Sequence, residues 1–384
     1  MDFSLTEDQR AIRDLARNFA ESELKDRAHE WDRDKRFPKE IIPQMAEMGF
    51  MGMNIPEEYG GSDLDLLSAS LVMEEVARHC GSTALTLASH NGLGSSHILL
   101  FGTEEQRKTY LPKIAEGKKL SAWALTEPGS GSDASGMKTT AVEEKDCYVL
   151  NGSKAFITQG SVGDVYVVMA RTSPEKKQKG ISAFILEKGM SGFSQGKPED
   201  KLGCRGSDTS TLSFDNVRVP KENMVGEKDM GFIDTLKILD KGRVIIGSMA
   251  LGLGRGALEE ALRYAKEREQ FGQPIANFQA IQWKLANMTT ELEAARLLLY
   301  RACYLYTQGR PINTEASMAK LFASEAGLRA CDQAIQIHGG YGYIKEYPVE
   351  RYWRDARICT IGEGTSEVQR MVIARNILRE GLSL

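Results

Sequence analysis

After residue 220 the chain holds only three of its eleven prolines, Pro274, Pro311 and Pro348, leaving long stretches in which a helix can run unbroken. Proline removes a backbone donor and clashes with the preceding turn, so its scarcity preserves helical periods. One such period runs Ile281, Leu285, Met288, Leu292, Ala295 and Leu299, spaced 4-3-4-3-4, the seam of a helical bundle. Further helices are expected at about 232–268, 314–338 and 366–379. Gly242, Gly247, Gly252, Gly254 and Gly256 fall inside the first of these. Each costs about 1 kcal/mol relative to alanine, so close packing or a ligand should offset them.

The start of the chain also reads as helical. Thr6-Glu7-Asp8-Gln9 and Thr103-Glu104-Glu105-Gln106 are capping boxes, and Ile12, Leu15 and Phe19 form an apolar face behind the first. Segments 71–78 and 89–100 read as further helices, set apart by glycine turns at Gly60-Gly61 and Gly81. From Leu120 the pattern changes to short β-favouring runs at 122–125, 148–150, 165–170, 181–186 and 211–219, with Asn151-Gly152 and Asp215-Asn216 as turn signals. No helix-length period separates these runs, so they should pair mostly antiparallel and not as a parallel nucleotide-binding sheet. The expected fold is mainly α with a central β domain. It comprises an N-terminal helical domain at 1–118, a middle antiparallel β-barrel or sandwich at 119–228 and a C-terminal four-helix bundle at 229–384.

Forty-nine basic and 53 acidic residues, a net charge of −4 mixed along the chain, suggest no nucleic-acid surface. The opening Met1-Asp2-Phe3-Ser4-Leu5-Thr6-Glu7-Asp8 has no basic region or apolar run, and no later apolar stretch is long enough for a bilayer. A cytoplasmic protein without membrane attachment is expected. The six cysteines (80, 147, 204, 303, 331, 359) form no CxxC pair and read as reduced, mostly buried thiols. The five histidines (29, 79, 90, 97, 338) contain no HxH or HxxxH, so no metal site is expected. Neither GxGxxG nor GxxxxGK[ST] occurs, and Gly252-Leu253-Gly254-Arg255-Gly256 lies inside a helical period.

Three glycine-rich clusters remain. Residues 126–136, Thr-Glu-Pro-Gly-Ser-Gly-Ser-Asp-Ala-Ser-Gly, follow a strand and read either as a tight turn or as a nest of backbone N–H groups for a diphosphate. Gln336-Ile337-His338-Gly339-Gly340-Tyr341-Gly342-Tyr343 ends a helix; a C-cap explains one glycine, a flat or charged ligand against the backbone explains several. In Ile361-Gly362-Glu363-Gly364-Thr365-Ser366, Thr365 or Ser366 caps the last helix. Glu363 is either a carboxylate complementing the helix dipole or a general base on a backbone freed by its neighbours.

Taken together, these motifs resemble the acyl-CoA dehydrogenase family over essentially the whole chain. One family signature matches 124–136, and another runs from Gln336 through Gly339-Gly340-Tyr341-Gly342 to Arg354-Asp355, with Glu363-Gly364-Thr365 following. The resemblance implies FAD, a homotetramer in which a neighbour helps to hold that FAD, an acyl-CoA substrate and electron-transfer flavoprotein as partner. It implies flavin contacts from Trp123, Leu125, Thr126 and Ser132, with Phe156, Ile157 and Thr158 behind the ring and Thr158 near N5. Arg268, Phe271 and Gln279, and Gln336 to Gly340 with Gly339 among them, would meet the FAD of a neighbouring subunit; Thr365 and Glu367 would complete the cofactor contacts, while Ser132, Asp240, Arg243 and Gly364 would meet the substrate.

By the same resemblance Glu363 is the catalytic base, taking the α-proton of the thioester while the β-hydrogen leaves as hydride. Burial should raise its pKa towards the working pH. Some relatives place the base where this chain has Gly242, so no second carboxylate competes. Gly362 and Phe156 depart from the commoner aromatic and Trp at those positions, and the first leaves the acyl group open. An acyl-CoA oxidase, an enoyl-CoA-reducing member and a non-enzymatic, flavin-bound nucleic-acid-binding member are the alternatives.

Overall fold

A computed structural model describes residues 4–381. Met1, Asp2 and Phe3, on which the reading of the chain start partly rests, lie outside the described residues. Both capping boxes form: Thr6 Oγ1 accepts from Gln9 N (3.2 Å) and Gln9 Oε1 from Thr6 N (3.1 Å), opening helix Glu7–Phe19. Thr103 and Gln106 do the same at 3.2 and 3.0 Å ahead of Glu104–Ala115. Gly81, expected in a turn, instead begins helix Gly81–Ser89, capped by Cys80. A Cβ there would stand 2.8 Å from Asp355 Oδ2, so the glycine serves close packing and not a change of direction. The expected 89–100 helix widens into a π-turn at His90–Ser95 before Ser96–Phe101.

The middle of the chain forms strands β1 (Ser121–Ala124), β2 (Thr140–Glu143), β3 (Cys147–Thr158), β4 (Val165–Arg171), β5 (Ile181–Glu187), β6 (Phe193–Gln195), β7 (Thr209–Pro220) and β8 (Met224–Val225). They make one sheet in the order β6-β7-β3-β2-β4-β5-β8, with β1 beside β4. Pairing is mostly antiparallel, as expected, but β1 with β4 and one β2–β4 contact are parallel, so the sheet is mixed. Side chains alternate across a strand. Val165, Val167 and Met169 therefore face Ile98, Tyr110 and Ile114 of the helices, while Tyr166, Val168 and Ala170 face Tyr148, Leu150 and Phe214.

The two turn signals are not turns. Asn151-Gly152 lies inside β3 and Asp215-Asn216 inside β7, where the register shifts between Leu150 and Gly152. Asn216 takes φ 51° and donates its N–H to Asn151 Oδ1 (2.8 Å). Residues that tolerate positive φ suit a β-bulge as well as a hairpin, and here they bond to one another across adjacent strands.

The C-terminal part comprises helices Gly231–Glu267, Gln279–Thr307, Asn313–His338, Val349–Cys359 and Ser366–Glu380. Met288, Leu292, Ala295 and Leu299 of the expected seam are buried; Ile281 and Leu285 are partly so. The helical glycines permit close approach: added Cβ atoms on Gly252 and Gly256 would lie 2.3 Å from Glu74 O and 2.2 Å from Arg78 O. Helix Gly231–Glu267 is thereby pressed onto Leu66–Ala77. The contact is reinforced by Arg255, which pairs with buried Glu74 (3.0 Å) and Glu75 (2.8 Å). All six cysteines are buried and free. Among the described residues no helix is long and apolar enough to cross a membrane, and no group of three or more His, Cys, Asp or Glu could hold a metal ion.

Candidate active site around Glu363

Helix Val349–Cys359 ends one turn before Glu363, and Thr365 opens the next helix by accepting from Val368 N (3.3 Å). Between them Glu363 takes φ 53° and Gly364 φ 95°. A non-glycine residue in the left-handed region costs on the order of 1–3 kcal/mol and persists only where its surroundings enforce it. Three bonds do so: Gln369 Nε2 donates to Glu363 O (3.1 Å) and Gly364 O (2.9 Å), and Lys320 Nζ donates to Gly364 O (2.7 Å).

This strained turn sends the Glu363 carboxylate against helix Gly231–Glu267 at Gly242, where an added Cβ would stand 2.0 Å from Oε2. Oε2 is buried and has no hydrogen-bond partner. Burial pushes the Glu363 pKa up to about 7, outweighing the opposing pull of Lys320 and Arg243. Arg243 is itself buried; it donates to Asp240 Oδ1 (2.8 Å) and Ser317 Oγ (3.3 Å), and Asn313 Nδ2 donates to the same Asp240 oxygen (2.7 Å). Two of the four expected substrate residues, Asp240 and Arg243, thus face each other.

The expected flavin residues fall into two larger groups and a pair, Thr365 and Glu367, at the start of the last helix. Trp123 on β1, Leu125 and Thr126 just beyond it, and Phe156, Ile157 and Thr158 on β3 belong to adjoining segments, for Ala155 N donates to Thr126 O (2.9 Å). Phe156 sits at the register break of β3 with φ 57° and is 68% exposed. The 126–136 segment is tied at its base by Lys154, wholly buried, whose Nζ donates to Leu125 O (3.0 Å) and Glu127 Oε1 (2.9 Å). Glu127 also accepts from Lys138 N and Thr139 N. The tip is open: nothing lies within 4 Å of an added Cβ on Gly129 or Gly131, and Ser132 is exposed.

Arg268, Gly339 and Gly340 line a separate cleft of about 500 Å³ with Tyr264, His338 and Tyr341. His338 stacks on Tyr264 (4.3 Å), and Arg268 lies over Tyr341 (5.5 Å). Gln279 and Gln336 are exposed, and Phe271 is 93% exposed on a tight hairpin. No hydrogen bond, ion pair or ring contact among the described residues joins this group to the first. Thr365 is committed to its cap and Glu367 is exposed on the same first turn.

Sequence reasoning missed Lys320, Gln369, Lys154 with Glu127, and His97, which accepts the Trp123 indole N–H at Nδ1 (3.1 Å). Lys320 carried a signal: it shares the small-residue stripe Ala316, Ala319, Ala323, Ala330, so its period places it on the buried face.

Models of the acyl-CoA dehydrogenase N-terminal, middle and C-terminal domains match residues 6–118, 122–217 and 229–378. The chain is 48% identical to the short-chain specific acyl-CoA dehydrogenase of Clostridium acetobutylicum, covering 99% of this chain and 100% of that one. It is 50% identical to a subunit of the caffeyl-CoA reductase-Etf complex of Acetobacterium woodii, over 98% and 99% of the two chains. The structure of butyryl-CoA dehydrogenase from Megasphaera elsdenii superposes with a TM-score of 0.96 at 45% identity, covering 99% of this chain and 100% of that one.

Proposed function

The chain belongs to the acyl-CoA dehydrogenase family, and from that premise we propose that it interconverts an acyl-CoA thioester and its trans-2-enoyl-CoA, with Glu363 moving the α-proton. The acyl group we assign is short or medium, straight, branched or cyclic. FAD is the family's cofactor, and when bound it supplies the acceptor or donor of the β-hydride. The fit rests on the open glycine loop at Gly129 and Gly131 for a diphosphate, and on exposed Phe156 beside Ile157 and Thr158 for a flat ring.

The observation that carries the reading is the buried, unpartnered Glu363 oxygen, whose carboxylate titrates near 7. An α-carbon beside a thioester is weakly acidic, so a base with a raised pKa and a donor aimed at the developing enolate oxygen are both needed. The Glu363 side chain serves as base, and its own backbone N–H, turned by the left-handed φ, serves as donor. Asp240 and Arg243 anchor the CoA portion, and Gly362 leaves room beside the reacting carbons.

A pKa near 7 leaves both forms of Glu363 populated at neutral pH, so the same carboxyl can return a proton to the α-carbon in enoyl reduction. The likeness to a caffeyl-CoA reductase subunit favours this second reading. In either direction electrons pass to or from an electron-transfer flavoprotein. The exposed apolar side chains of Trp283, Met371 and Leu378 on the C-terminal helices, with Phe271 on the hairpin between two of them, support a homotetramer built through this part of the chain. Anaerobic addition of acyl-CoA thioesters, from butyryl-CoA to branched and cyclic ones, should bleach the flavin band; a band that no thioester bleaches and no enoyl-CoA reoxidises would contradict the assignment.

A further inference from the structure

We propose that Lys320 is a positioning residue of the active site: its buried ammonium pins the Gly364 carbonyl and supplies the counter-charge that lets Glu363 ionise under an apolar substrate. This rests on the reading of Glu363 as the base.

Two buried groups of opposite charge stand at this turn, and neither forms an ion pair among the described residues. Lys320 is wholly buried, forms no ion pair among the described residues, and makes one hydrogen bond, to Gly364 O. Glu363 Oε2 is likewise buried and bonded to nothing. An unpaired buried ammonium is unstable as a charge and normally finds an anion. The neighbouring groups do not fill that role. On helix Gly231–Glu267 the carboxylate of Asp240 is held by Arg243 and Asn313, and Arg243, whose Nε has no hydrogen-bond partner, is a second cation acting on Glu363. From helix Ser366–Glu380, Gln369 is uncharged and Arg375 repels Arg243. Cys359, closing helix Val349–Cys359, is pushed up to about 12 by burial and stays a neutral thiol, and Glu325, on the same helix as Lys320, pairs with exposed Arg370. Glu363 is therefore the carboxylate that Lys320 serves.

The pair works over a limited range. Burial lowers the Lys320 pKa to about 8, opposed by Cys359 and then Glu363, and raises that of Glu363 to about 7, opposed by Lys320 and then Arg243. Without the ammonium, Glu363 keeps only Arg243 to oppose its burial and holds its proton to higher pH. Lys320 also holds the left-handed turn at Gly364 O, beside the Gln369 bonds to Glu363 O and Gly364 O, so one side chain sets both the direction and the ionisation of the base.

Two substitutions separate charge from contact. Lys320→Met removes both, whereas Lys320→Gln keeps a donor for Gly364 O and carries the test if Met costs the fold. In the FAD-loaded enzyme, the Glu363 carboxyl band is isolated as the infrared difference between each protein and its Glu363→Gln counterpart, then titrated. Both variants should move the midpoint upward by about one unit or more, with the acid limb of the flavin-bleaching rate moving in parallel and Lys320→Arg restoring it. A midpoint unchanged in both variants, with Glu363→Gln inactive, would overturn the role of Lys320 alone. Full bleaching by Glu363→Gln would overturn the base itself and this proposal with it.

Discussion

Gly242 and Glu363 occupy one another's space: the Cβ that Gly242 lacks would stand 2.0 Å from Oε2 of Glu363, well inside van der Waals contact. The glycine therefore costs helix propensity in Gly231–Glu267 and gains room for a carboxylate carried by a different segment.

Gly242→Ala should separate stability from activity. Alanine favours the helix by about 1 kcal/mol, while the carboxylate is displaced by an ångström or more, which can cost roughly 10²-fold in rate. Turnover and thermal unfolding measured together check this: activity should fall with the melting temperature unchanged or raised. Equal loss of both would mean that the helix, not the carboxylate, was disturbed.

The ionisation of Glu363 should appear in both rate and stability. Oxidation of acyl-CoA needs the carboxylate, so its rate should climb through about pH 7, whereas enoyl reduction needs the acid and should decline there. The folded pKa lies above the unfolded value of 4.5, so the folded state binds the proton more tightly between 4.5 and 7. The associated stability is complete below 4.5 and lost as pH rises through 7. Glu363→Gln, uncharged throughout, should therefore match the parent below pH 4.5 and exceed it above 7 by up to about 3 kcal/mol. Denaturant unfolding at pH 4 and pH 8 gives the comparison.

Lys154→Met should damage the flavin loop from beneath. It leaves Glu127 buried without its cation, and breaking such a pair costs about 3–5 kcal/mol. Because Lys154 also holds the Leu125 carbonyl, the variant should lose FAD on gel filtration under conditions where the parent stays yellow. Full retention of flavin at parental stability would show that the pair supports neither.

Much of the fold was legible because its signals are local. The Thr6 and Thr103 boxes and the 281–299 seam depend on spacing along one segment, and each forms as read. Asn151-Gly152 and Asp215-Asn216 were legible only as positive-φ positions; whether such a pair turns or bulges depends on the partner strand, which lies more than sixty residues away. Gly81 was taken for a turn because its reason for being glycine, Asp355, comes from a distant helix. At the site, Glu363 stood out through its flanking glycines, but Lys320 reaches it from another helix through a backbone carbonyl. The spacing of its helix puts Lys320 on the buried face but leaves no trace of the carbonyl it meets there.

The most direct test of the central claim is the anaerobic bleaching rate of Glu363→Gln in its FAD-loaded form with whichever thioester reduces the parent. A general base contributes roughly 10²- to 10⁴-fold, so the expected result is a fully yellow variant that binds the thioester and bleaches slower by that factor. Bleaching at the parental rate would mean that another group takes the α-proton, and that the burial, strain and raised pKa gathered at Glu363 serve some other end.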